Sequence, residues 1–205
     1  STGAPRIVRQ SYDNIESNTS SIIDYLKIDQ NERPVTVLPM HYTYGLSVIN
    51  THLASGATLL LTDNTIMQKE FWSFLVDHKA TSFSGVPYTY QMLDRLRFER
   101  RSLPELKTLT QAGGHLSKEL QLKFSNYAKR EGKNFVVMYG QAEATARISY
   151  LPADMTLRKI GSIGIAIPRT ELLLEGEHGE KINSPNTEGE LICKGEHITL
   201  DYAKY

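Results

Sequence analysis

The fold class is decided by residues 106–139, which read LKTLTQAGGHLSKELQLKFSNYAKREGKNFVVMY. Apolar, β-rich runs at 106–109 and 135–138 predict two buried strands. Between them the pair Gly113-Gly114 breaks the chain, and Ser117 is the predicted N-cap of a helix. That helix presents an apolar stripe made of Leu120, Phe124 and Tyr127. A strand, a helix and a strand joined by short links predict parallel strands with the helix packed on the sheet.

The same alternation of strands and helices extends over residues 34–140. Further strands are predicted at 35–38, 57–61 and 81–84. Further helices are predicted at 46–54, along the stripe of Phe71, Phe74, Leu75 and His78, and from Pro87 onward, where proline suits a first helical turn. This region therefore predicts an α/β fold, a parallel sheet with flanking helices.

The character of the sequence changes after about residue 148. Glycines there separate short runs such as 171–174 and 190–193, and little has a helical period. This pattern predicts a small antiparallel β-subdomain, part of a distorted barrel. The chain opens with a glycine loop and a predicted helix over 11–26. The predicted organisation is thus a loop and helix in 1–30, an α/β subdomain in 31–147 and a β-rich subdomain in 148–205.

Composition excludes several classes of partner. Lys plus Arg number 23 and Asp plus Glu number 23, so no net charge favours nucleic acid or an anionic membrane. The single cysteine, Cys193, excludes an internal disulfide and a cysteine-based zinc site. It favours a reducing compartment, so a cytoplasmic location is expected. The apolar runs are too short to span a membrane. Oligomeric state stays open.

The first candidate cluster is the opening, residues 1–6, which read STGAPR. Hydroxyls and backbone N–H groups beside a glycine can donate to phosphate oxygens, and Arg6 adds a permanent charge with two parallel donors. No Gly-Lys-Ser/Thr is present, so this is not the loop of the nucleoside triphosphatases. A plain solvent-exposed turn is the alternative.

The second cluster, residues 39–45, reads PMHYTYG and directly follows a predicted strand. Open α/β sheets bind ligands at the carboxyl ends of their parallel strands. An imidazole with aromatic neighbours, His41 with Tyr42 and Tyr44, is suited to shape a pocket for an organic acid. A core histidine with packing tyrosines is the alternative.

Two further clusters also follow strands. In residues 111–115, QAGGH, the paired glycines allow a flat ring to lie against the backbone, or they serve a tight turn with positive φ. In residues 139–143, YGQAE, the carboxylate of Glu143 is placed to hold Mg²⁺ beside phosphates. The alternative for Glu143 is an exposed side chain without a role.

In this order, the clusters resemble motifs of the adenylate-forming (AMP-binding) superfamily of acyl-CoA synthetases, firefly luciferase and peptide-synthetase adenylation domains. Residues 1–6 are similar to its S-T-G-x-P-K loop, with Arg6 in place of lysine. Residues 139–143 are similar to Y-G-x-T-E, with Ala142 in place of threonine. The pair Gly113-Gly114 matches the glycines before the adenine-binding turn. Residues 188–202 resemble G-E-L-x-x-x-G-x-x-x-x-x-G-Y, with Asp201 in place of the last glycine.

The resemblance covers essentially the whole chain and implies an internal piece of the N-terminal domain of such an enzyme. It implies ATP-dependent activation of a carboxylic acid to an acyl-adenylate, followed by transfer to a thiol, with coenzyme A as the expected acceptor. The family's ribose-binding aspartate and its C-terminal domain with the catalytic lysine would lie beyond Tyr202. The chain by itself is therefore expected to be inactive.

The resemblance also implies roles for individual residues. The β- and γ-phosphates of ATP would contact Ser1, Thr2, Gly3 and Arg6. The adenine and its surroundings would contact Gly113, Gly114, His115, Tyr139, Gly140, Gln141 and Ala142. The acid pocket would be bordered by His41, Tyr42, Tyr44 and Gly45. Glu143 would bind Mg²⁺, and Glu143 and His41 are the expected catalytic residues. No aspartate stands in the acid-pocket stretch, which favours a simple acyl or aryl acid over an amino acid.

Three alternatives stay open. One is an unrelated α/β nucleotide-binding module without ligase chemistry. Another is a degenerate, non-catalytic relative that serves as an interaction domain, which the loss of a hydroxyl at Ala142 favours. The third is a ligase of the same family that loads a carrier protein instead of coenzyme A. The identity of the acid is open as well.

Overall fold

A computed structural model describes residues 6–203, and its largest feature is a six-stranded sheet. In chain order the strands are β1 (Val8–Arg9), β2 (Pro34–Thr36), β3 (Ser82–Gly85), β4 (Thr108–Gln111), β5 (Asn134–Tyr139), β6 (Ser149–Leu151), β7 (Ile165–Ala166), β8 (Glu171–Glu175), β9 (Lys181–Ile182), β10 (Glu190–Lys194) and β11 (Asp201–Tyr202). The large sheet has the order β2-β3-β4-β5-β6-β7. Its first four strands are parallel, and β6 and β7 are added antiparallel. The predicted parallel sheet is confirmed.

Five helices are described, and the last four of them connect the parallel strands, as the alternation predicted. They are α1 (Tyr12–Leu26), α2 (Thr43–Ala54), α3 (Lys69–Asp77), α4 (Pro87–Arg95) and α5 (Lys118–Arg130). Short 3₁₀ turns lie at Phe98–Arg100, Ala142–Ala144 and Ala153–Met155. The hydroxyl of Ser117 accepts from the backbone N–H of Leu120, which confirms Ser117 as the N-cap of α5. Ser11 caps α1 in a reciprocal pair with Asn14.

The sheet is buried on both faces, and β5 shows why its sequence is a continuous apolar run. Successive residues of a strand point to opposite faces. Phe135 packs in a core with residues of α3, α4 and α5, whereas the next residue, Val136, packs in a second core with Tyr44 and Val48 of α2. Helices on both faces remove the polar side of the strand, so no alternation of polar and apolar residues remains.

The predicted strand at 57–61 is wrong. Only Leu60 bridges to Val35, and the segment receives no other strand pairing. The backbone N–H of Leu60 donates to the carbonyl of Pro34 at 2.9 Å, but Leu61 is 65% exposed. The apolar residues predicted a buried strand, yet the segment lies along the edge of β2 and leaves the sheet before a ladder forms.

The strands that follow the large sheet are antiparallel, as expected. Strands β8, β9 and β10 form a sheet of their own in the order β10-β8-β9, and β11 pairs with β1 from the start of the chain. Strands β6 and β7, however, continue the large sheet beyond residue 148, so the change of sheet falls between Ala166 and Glu171. The division into three units stays a prediction.

Two asparagines of helix α1 form hydrogen bonds with segments that lie far along the chain. The side-chain amide of Asn14 donates to the carbonyls of Glu196 at 2.6 Å and Ile198 at 2.9 Å. The amide of Asn18 donates to the carbonyl of Arg147 at 2.9 Å, and the backbone N–H of Arg147 returns a bond to Asn18 at 3.2 Å. Among residues 6–203, no helix has the length and apolar character needed to cross a membrane.

Helix α2 packs closely against the turn after β2, and Gly45 lies at the point of contact. A β-carbon at this position would lie 2.3 Å from the carbonyl oxygen of Pro39, which is backbone and cannot rotate away. Alanine is ordinarily the better helix former by about 1 kcal/mol. We nevertheless expect Gly45→Ala to lower the free energy of unfolding by about 1–3 kcal/mol, because overpacking outweighs helix propensity.

Chemical denaturation of the two proteins measures this difference. Leu53→Ala, in the same helix at a side chain that is 59% exposed, is the control and should change stability by no more than about 0.5 kcal/mol. Equal or higher stability of Gly45→Ala would contradict the packing described for α2.

Candidate functional site

The site lies where the parallel strands of the large sheet end. Strand β5 ends at Tyr139, and a 3₁₀ turn over Ala142–Ala144 carries Glu143. The chain then folds back, so that the N–H of Ile148 donates to the carbonyl of Tyr139 at 2.9 Å. Gly140 permits this reversal, since a β-carbon there would lie 1.9 Å from the carbonyl oxygen of Ala146.

Glu143 is held by residues that are distant in sequence. One carboxylate oxygen accepts from the hydroxyl of Tyr202 at 2.6 Å. Its backbone carbonyl accepts from the N–H of Thr199 at 3.0 Å and from the hydroxyl of Thr199 at 2.9 Å. The guanidinium carbon of Arg6 lies 5.1 Å from the centre of the Tyr202 ring. Tyr202 thus contacts both Arg6 and Glu143, and it links the first described residue to the turn after β5.

The backbone is strained at Thr145, two positions after Glu143. Thr145 has φ 63° and ψ −59°, and the N–H of Ala146 donates to the carbonyl of Ala144 at 2.7 Å. This is a γ-turn of the rare, strained kind, and it is occupied by a β-branched residue. The hydroxyl of Thr145 donates to the buried carbonyl of His197 at 2.7 Å. Such strain costs on the order of 1–3 kcal/mol and clusters at functional sites.

A cavity of about 310 Å³ brings three of the sequence clusters together. Its wall includes Arg6 from the opening, His41 from the cluster after β2, and Ala142 from the turn after β5. Residues outside the sequence clusters complete it, among them Asn18, Ser47 and Thr145. We call this space the Arg6 cavity. The clusters therefore share one location, although as many as 136 positions separate Arg6 from Ala142 in the chain.

A second cavity of about 370 Å³ gathers the predicted adenine-side residues. Its wall includes Gly113, Gly114, His115, Tyr139 and Gly140. Gly113 adopts a φ of 79°, as the turn interpretation required. Its backbone also passes close to another predicted residue, because a β-carbon on Gly113 would lie 2.3 Å from the hydroxyl of Tyr42. We call this space the Gly113 cavity.

The remaining predicted residues are placed less uniformly. Ser1, Thr2 and Gly3 lie outside the described residues. Tyr44 is buried and forms a hydrogen bond with the hydroxyl of Thr110 at 2.7 Å. Gly45 faces the carbonyl of Pro39 and not a cavity wall. Gln141 is exposed and lines neither cavity. The roles of these residues in binding stay predictions.

The chemistry of Glu143 suits a magnesium ion shared with phosphates. Within residues 6–203, there is no group of three or more His, Cys, Asp or Glu side chains that could hold a metal ion. Magnesium in phosphate sites is bound through one or two carboxylates together with substrate oxygens and waters. A single half-buried carboxylate, on the turn whose Ala142 lines the Arg6 cavity, fits that mode.

Sequence reasoning missed Arg147. It stands in the run ATARISYL, residues 144–151, where a lone charge interrupts small and apolar residues. The structure buries it to 3% exposure on the strand-like return that follows Glu143. The interruption of an apolar run by a charge was the available signal.

The parallel strands, with cavities at their carboxyl ends, define an α/β protein whose candidate site lies where open α/β sheets bind ligands. The chain belongs to the AMP-binding enzyme family, whose match spans residues 1–203. The family match contradicts the alternative of an unrelated nucleotide-binding module.

Relatives of known activity match nearly all of this chain but less than half of their own length. The long-chain-fatty-acid–CoA ligase of Bacillus subtilis is 27% identical over 205 residues, which is 98% of this chain and 36% of that protein. The 2-succinylbenzoate–CoA ligase of Oceanobacillus iheyensis is 26% identical, over 99% of this chain and 40% of that protein. The chain thus spans about two-fifths of the length of these relatives.

Solved structures show the same fold. The N-terminal domain of FACL13 from Mycobacterium tuberculosis superposes with a TM-score of 0.86 at 21% identity, covering 98% of this chain and 50% of that one. The O-succinylbenzoate coenzyme A synthetase of Bacillus subtilis, solved with ATP and magnesium, superposes with a TM-score of 0.85 at 23% identity, covering 98% and 40%. The predicted fold class is confirmed by these likenesses.

The bond between Thr145 and His197 should contribute measurably to stability. Thr145→Ala leaves the buried carbonyl of His197 without this donor, and we expect a loss of about 1–3 kcal/mol in the free energy of unfolding. Thr145→Ser keeps the hydroxyl without the β-branch and serves as the control, with stability at or above that of the original protein. Equal unfolding midpoints for the alanine and serine variants would contradict this assignment.

The bond between Tyr202 and Glu143 should show in the titration of Tyr202. The hydrogen bond to the Glu143 carboxylate, with some desolvation, raises the pKa of Tyr202 above its usual value, because an anionic acceptor favours the protonated phenol. Since the folded-state pKa is the higher one, the stabilisation is full below the unfolded pKa and is lost as pH rises through the folded pKa.

Carbon-13 NMR of labelled tyrosine, assigned with Tyr202→Phe, follows this pKa. Glu143→Gln should lower the pKa of Tyr202, because a neutral amide no longer opposes the phenolate. Glu190→Gln, at an exposed residue of β10, is the control and should leave it unchanged. An unchanged pKa in Glu143→Gln would show that the two side chains do not interact.

Proposed function

We propose that this chain supplies much of the active centre of an enzyme that uses ATP to activate a carboxylic acid. The products of this step would be an acyl-adenylate and pyrophosphate, and the acyl group would then pass to a thiol. The observation that carries the proposal is the Arg6 cavity. It unites a cation suited to phosphates, an imidazole suited to an acid and the turn that bears Glu143.

Attack of a carboxylate oxygen on the α-phosphorus is an in-line displacement, so catalysis depends on positioning and on neutralising charge. In this proposal Arg6, together with Ser1, Thr2 and Gly3, binds the β- and γ-phosphates that leave as pyrophosphate. The ring of Tyr202 limits the freedom of Arg6, since the guanidinium lies over it. His41 lies across the same cavity and orients the acid.

Glu143 would hold Mg²⁺, which when bound supplies positive charge to the phosphate oxygens. The chain's own contribution is to fix that carboxylate. The hydroxyl of Tyr202 occupies one carboxylate oxygen, and two bonds from Thr199 fix the backbone of the turn. A carboxylate held in this way loses little conformational freedom when it binds a cation, so the site is largely pre-organised.

The adenine is proposed to lie in the Gly113 cavity. In this proposal the flat ring lies against the backbone of Gly114, and Tyr139 and His115 provide the walls. The side-chain position of Gly113 is taken by the hydroxyl of Tyr42. This cavity and the Arg6 cavity receive residues of the same turn, Gly140 and Ala142, which are two positions apart. One nucleotide could therefore reach both, with its base in the first and its phosphates in the second.

Coenzyme A is the proposed acyl acceptor. The relatives carry names for different acids, among them long-chain fatty acids, ferulate, 2-succinylbenzoate and oxalate, and these names share coenzyme A. A relative named luciferin 4-monooxygenase, from Photuris pensylvanica, is 29% identical over 206 residues. Transfer of the acyl group to the thiol of a carrier protein, instead of coenzyme A, is the alternative that uses the same chemistry.

Ala142 favours a second candidate, a non-catalytic relative that binds nucleotide or another protein. Its methyl group lines the Arg6 cavity at a position where the motif it resembles has a hydroxyl. A ligand that binds the native state raises the unfolding temperature. A full-length protein that is unaffected by Mg-ATP, or is stabilised by it without acid-dependent turnover, would favour this candidate.

Glu143→Gln in the full-length protein tests the activation step. We expect acid-dependent exchange of pyrophosphate into ATP to fall on the order of 100-fold or more, because a group that stabilises transition-state charge is removed. Glu190→Gln is the control and should retain the original rate. Exchange that persists in Glu143→Gln would remove Glu143 from the machinery, and its absence from the original protein with every acid tried would overturn the proposed function.

A further inference from the structure

Arg147 is a buried cation without an anionic partner. Its side chain is 3% exposed, and no carboxylate within residues 6–203 lies in salt-bridge contact with it. One terminal nitrogen donates to the carbonyl of Ala146 at 3.1 Å, and the other makes a long contact of 3.4 Å with the hydroxyl of Ser47. The Nε–H group is buried and has no hydrogen-bond partner among the described residues.

The aromatic neighbours of Arg147 do not supply the missing charge. The guanidinium carbon lies 4.0 Å from the centre of the Tyr44 ring, an attraction that leaves the net charge in place. Burial raises the pKa values of Tyr25 and Tyr44, and the nearby Arg147 only partly opposes the rise. Both phenols therefore stay neutral at neutral pH. An unpaired buried charge is strongly destabilising, so an anion that pairs with Arg147 would offset a large cost.

A small cavity adjoins the guanidinium. It measures about 30 Å³, which exceeds the roughly 10–15 Å³ needed for one water. Seven residues of its wall carry hydroxyl groups: Tyr44, Ser47, Thr51, Ser82, Ser84, Thr108 and Thr110. Glu32 also lines it, but its carboxylate accepts a hydrogen bond from Thr81 and makes no salt bridge with Arg147. We call this space the Arg147 cavity.

Ser47 connects this space to the candidate active site. Ser47 lines both the Arg147 cavity and the Arg6 cavity, and its hydroxyl contacts a terminal nitrogen of Arg147. Two more residues of the Arg6 cavity wall, Asn18 and Thr145, lie next to Arg147. The side-chain amide of Asn18 donates to the backbone carbonyl of Arg147, and Thr145 precedes Arg147 by two positions in the chain. The side chain of Ser47 therefore lies at the boundary of the Arg6 cavity and in contact with the guanidinium.

We propose that the acid activated at this site carries a second anionic group, and that Arg147 binds it. The inference rests on the proposed function and names the substrate class, dicarboxylic acids. One carboxylate would face the phosphates in the Arg6 cavity, and the other would pair with the guanidinium, whose planar fork matches a carboxylate. The second carboxylate satisfies the vacant Nε–H and compensates the buried charge, which a monocarboxylic acid cannot do.

Matched pairs of acids test this inference in the full-length protein. The pairs are succinate with butanoate, glutarate with pentanoate, adipate with hexanoate, and terephthalate with benzoate, so that each differs by one carboxylate. The readout is kcat/KM for acid-dependent pyrophosphate exchange. We expect at least one diacid to exceed its partner by about 100-fold or more, because the monoacid would leave a buried arginine unpaired.

Variants identify the residue responsible. Arg147→Met should reduce the diacid advantage to less than about tenfold and improve the rate with the monoacid of the pair. Arg147→Lys keeps the charge and should retain part of the preference. Arg101→Met is the matched control, since Arg101 also lies 4.0 Å over an aromatic ring, that of Trp72, and also has an unpartnered Nε–H. It lines none of the three cavities and should leave the preference unchanged.

The outcomes separate this inference from the function on which it rests. Equal kcat/KM values for each monoacid and its diacid would overturn the inference and leave the proposed function standing. Water would then fill the Arg147 cavity. A diacid preference that survives in Arg147→Met also overturns it. Exchange with none of the acids, despite binding of Mg-ATP, overturns the proposed function and the inference together. The comparison of acids needs no variant, so a misfolded Arg147→Met does not prevent the test.

Discussion

The structure depends on the position of β5 between a parallel and an antiparallel neighbour. On one side β5 continues the ladder of β2, β3 and β4, and on the other it pairs with β6 after a reversal that only glycine permits at position 140. Because the reversal is tight, Glu143 and Arg147 stay close to the carboxyl ends of the parallel strands. The Arg6 cavity and the Gly113 cavity both receive residues from this one turn. A side chain at Gly140 would displace them all.

The turn is held by segments from both ends of the described chain. Strand β1 pairs with β11, Asn14 binds carbonyls of the segment that precedes β11, and Thr199 and Tyr202 bind Glu143. The carboxylate proposed to hold magnesium is therefore positioned by residues from the small sheets and not by the large sheet alone. This arrangement explains why Arg6 lies near a turn that is formed much later in the sequence.

Two destabilising features lie within residues 145–147, directly after that turn. Thr145 has strained backbone, and Arg147 is a buried cation without a counter-charge. Each costs stability that the aromatic core between the sheet and α3, α4 and α5 must offset. Large buried side chains such as Phe83, Tyr90 and Phe135 form that core. A rigid core on one face of the sheet allows a costly, pre-organised site at its edge.

The sequence by itself determined the local elements and the order of the clusters. Apolar runs, the cap at Ser117 and the proline at 87 are short-range signals, so the parallel strands and their helices were predicted correctly. The segment 57–61 was not, because an apolar run does not tell whether a neighbouring strand will form a ladder with it. Only the tertiary structure decided that Tyr202 binds Glu143 and that Arg147 is buried, since pairing and burial arise when residues far apart in the chain meet.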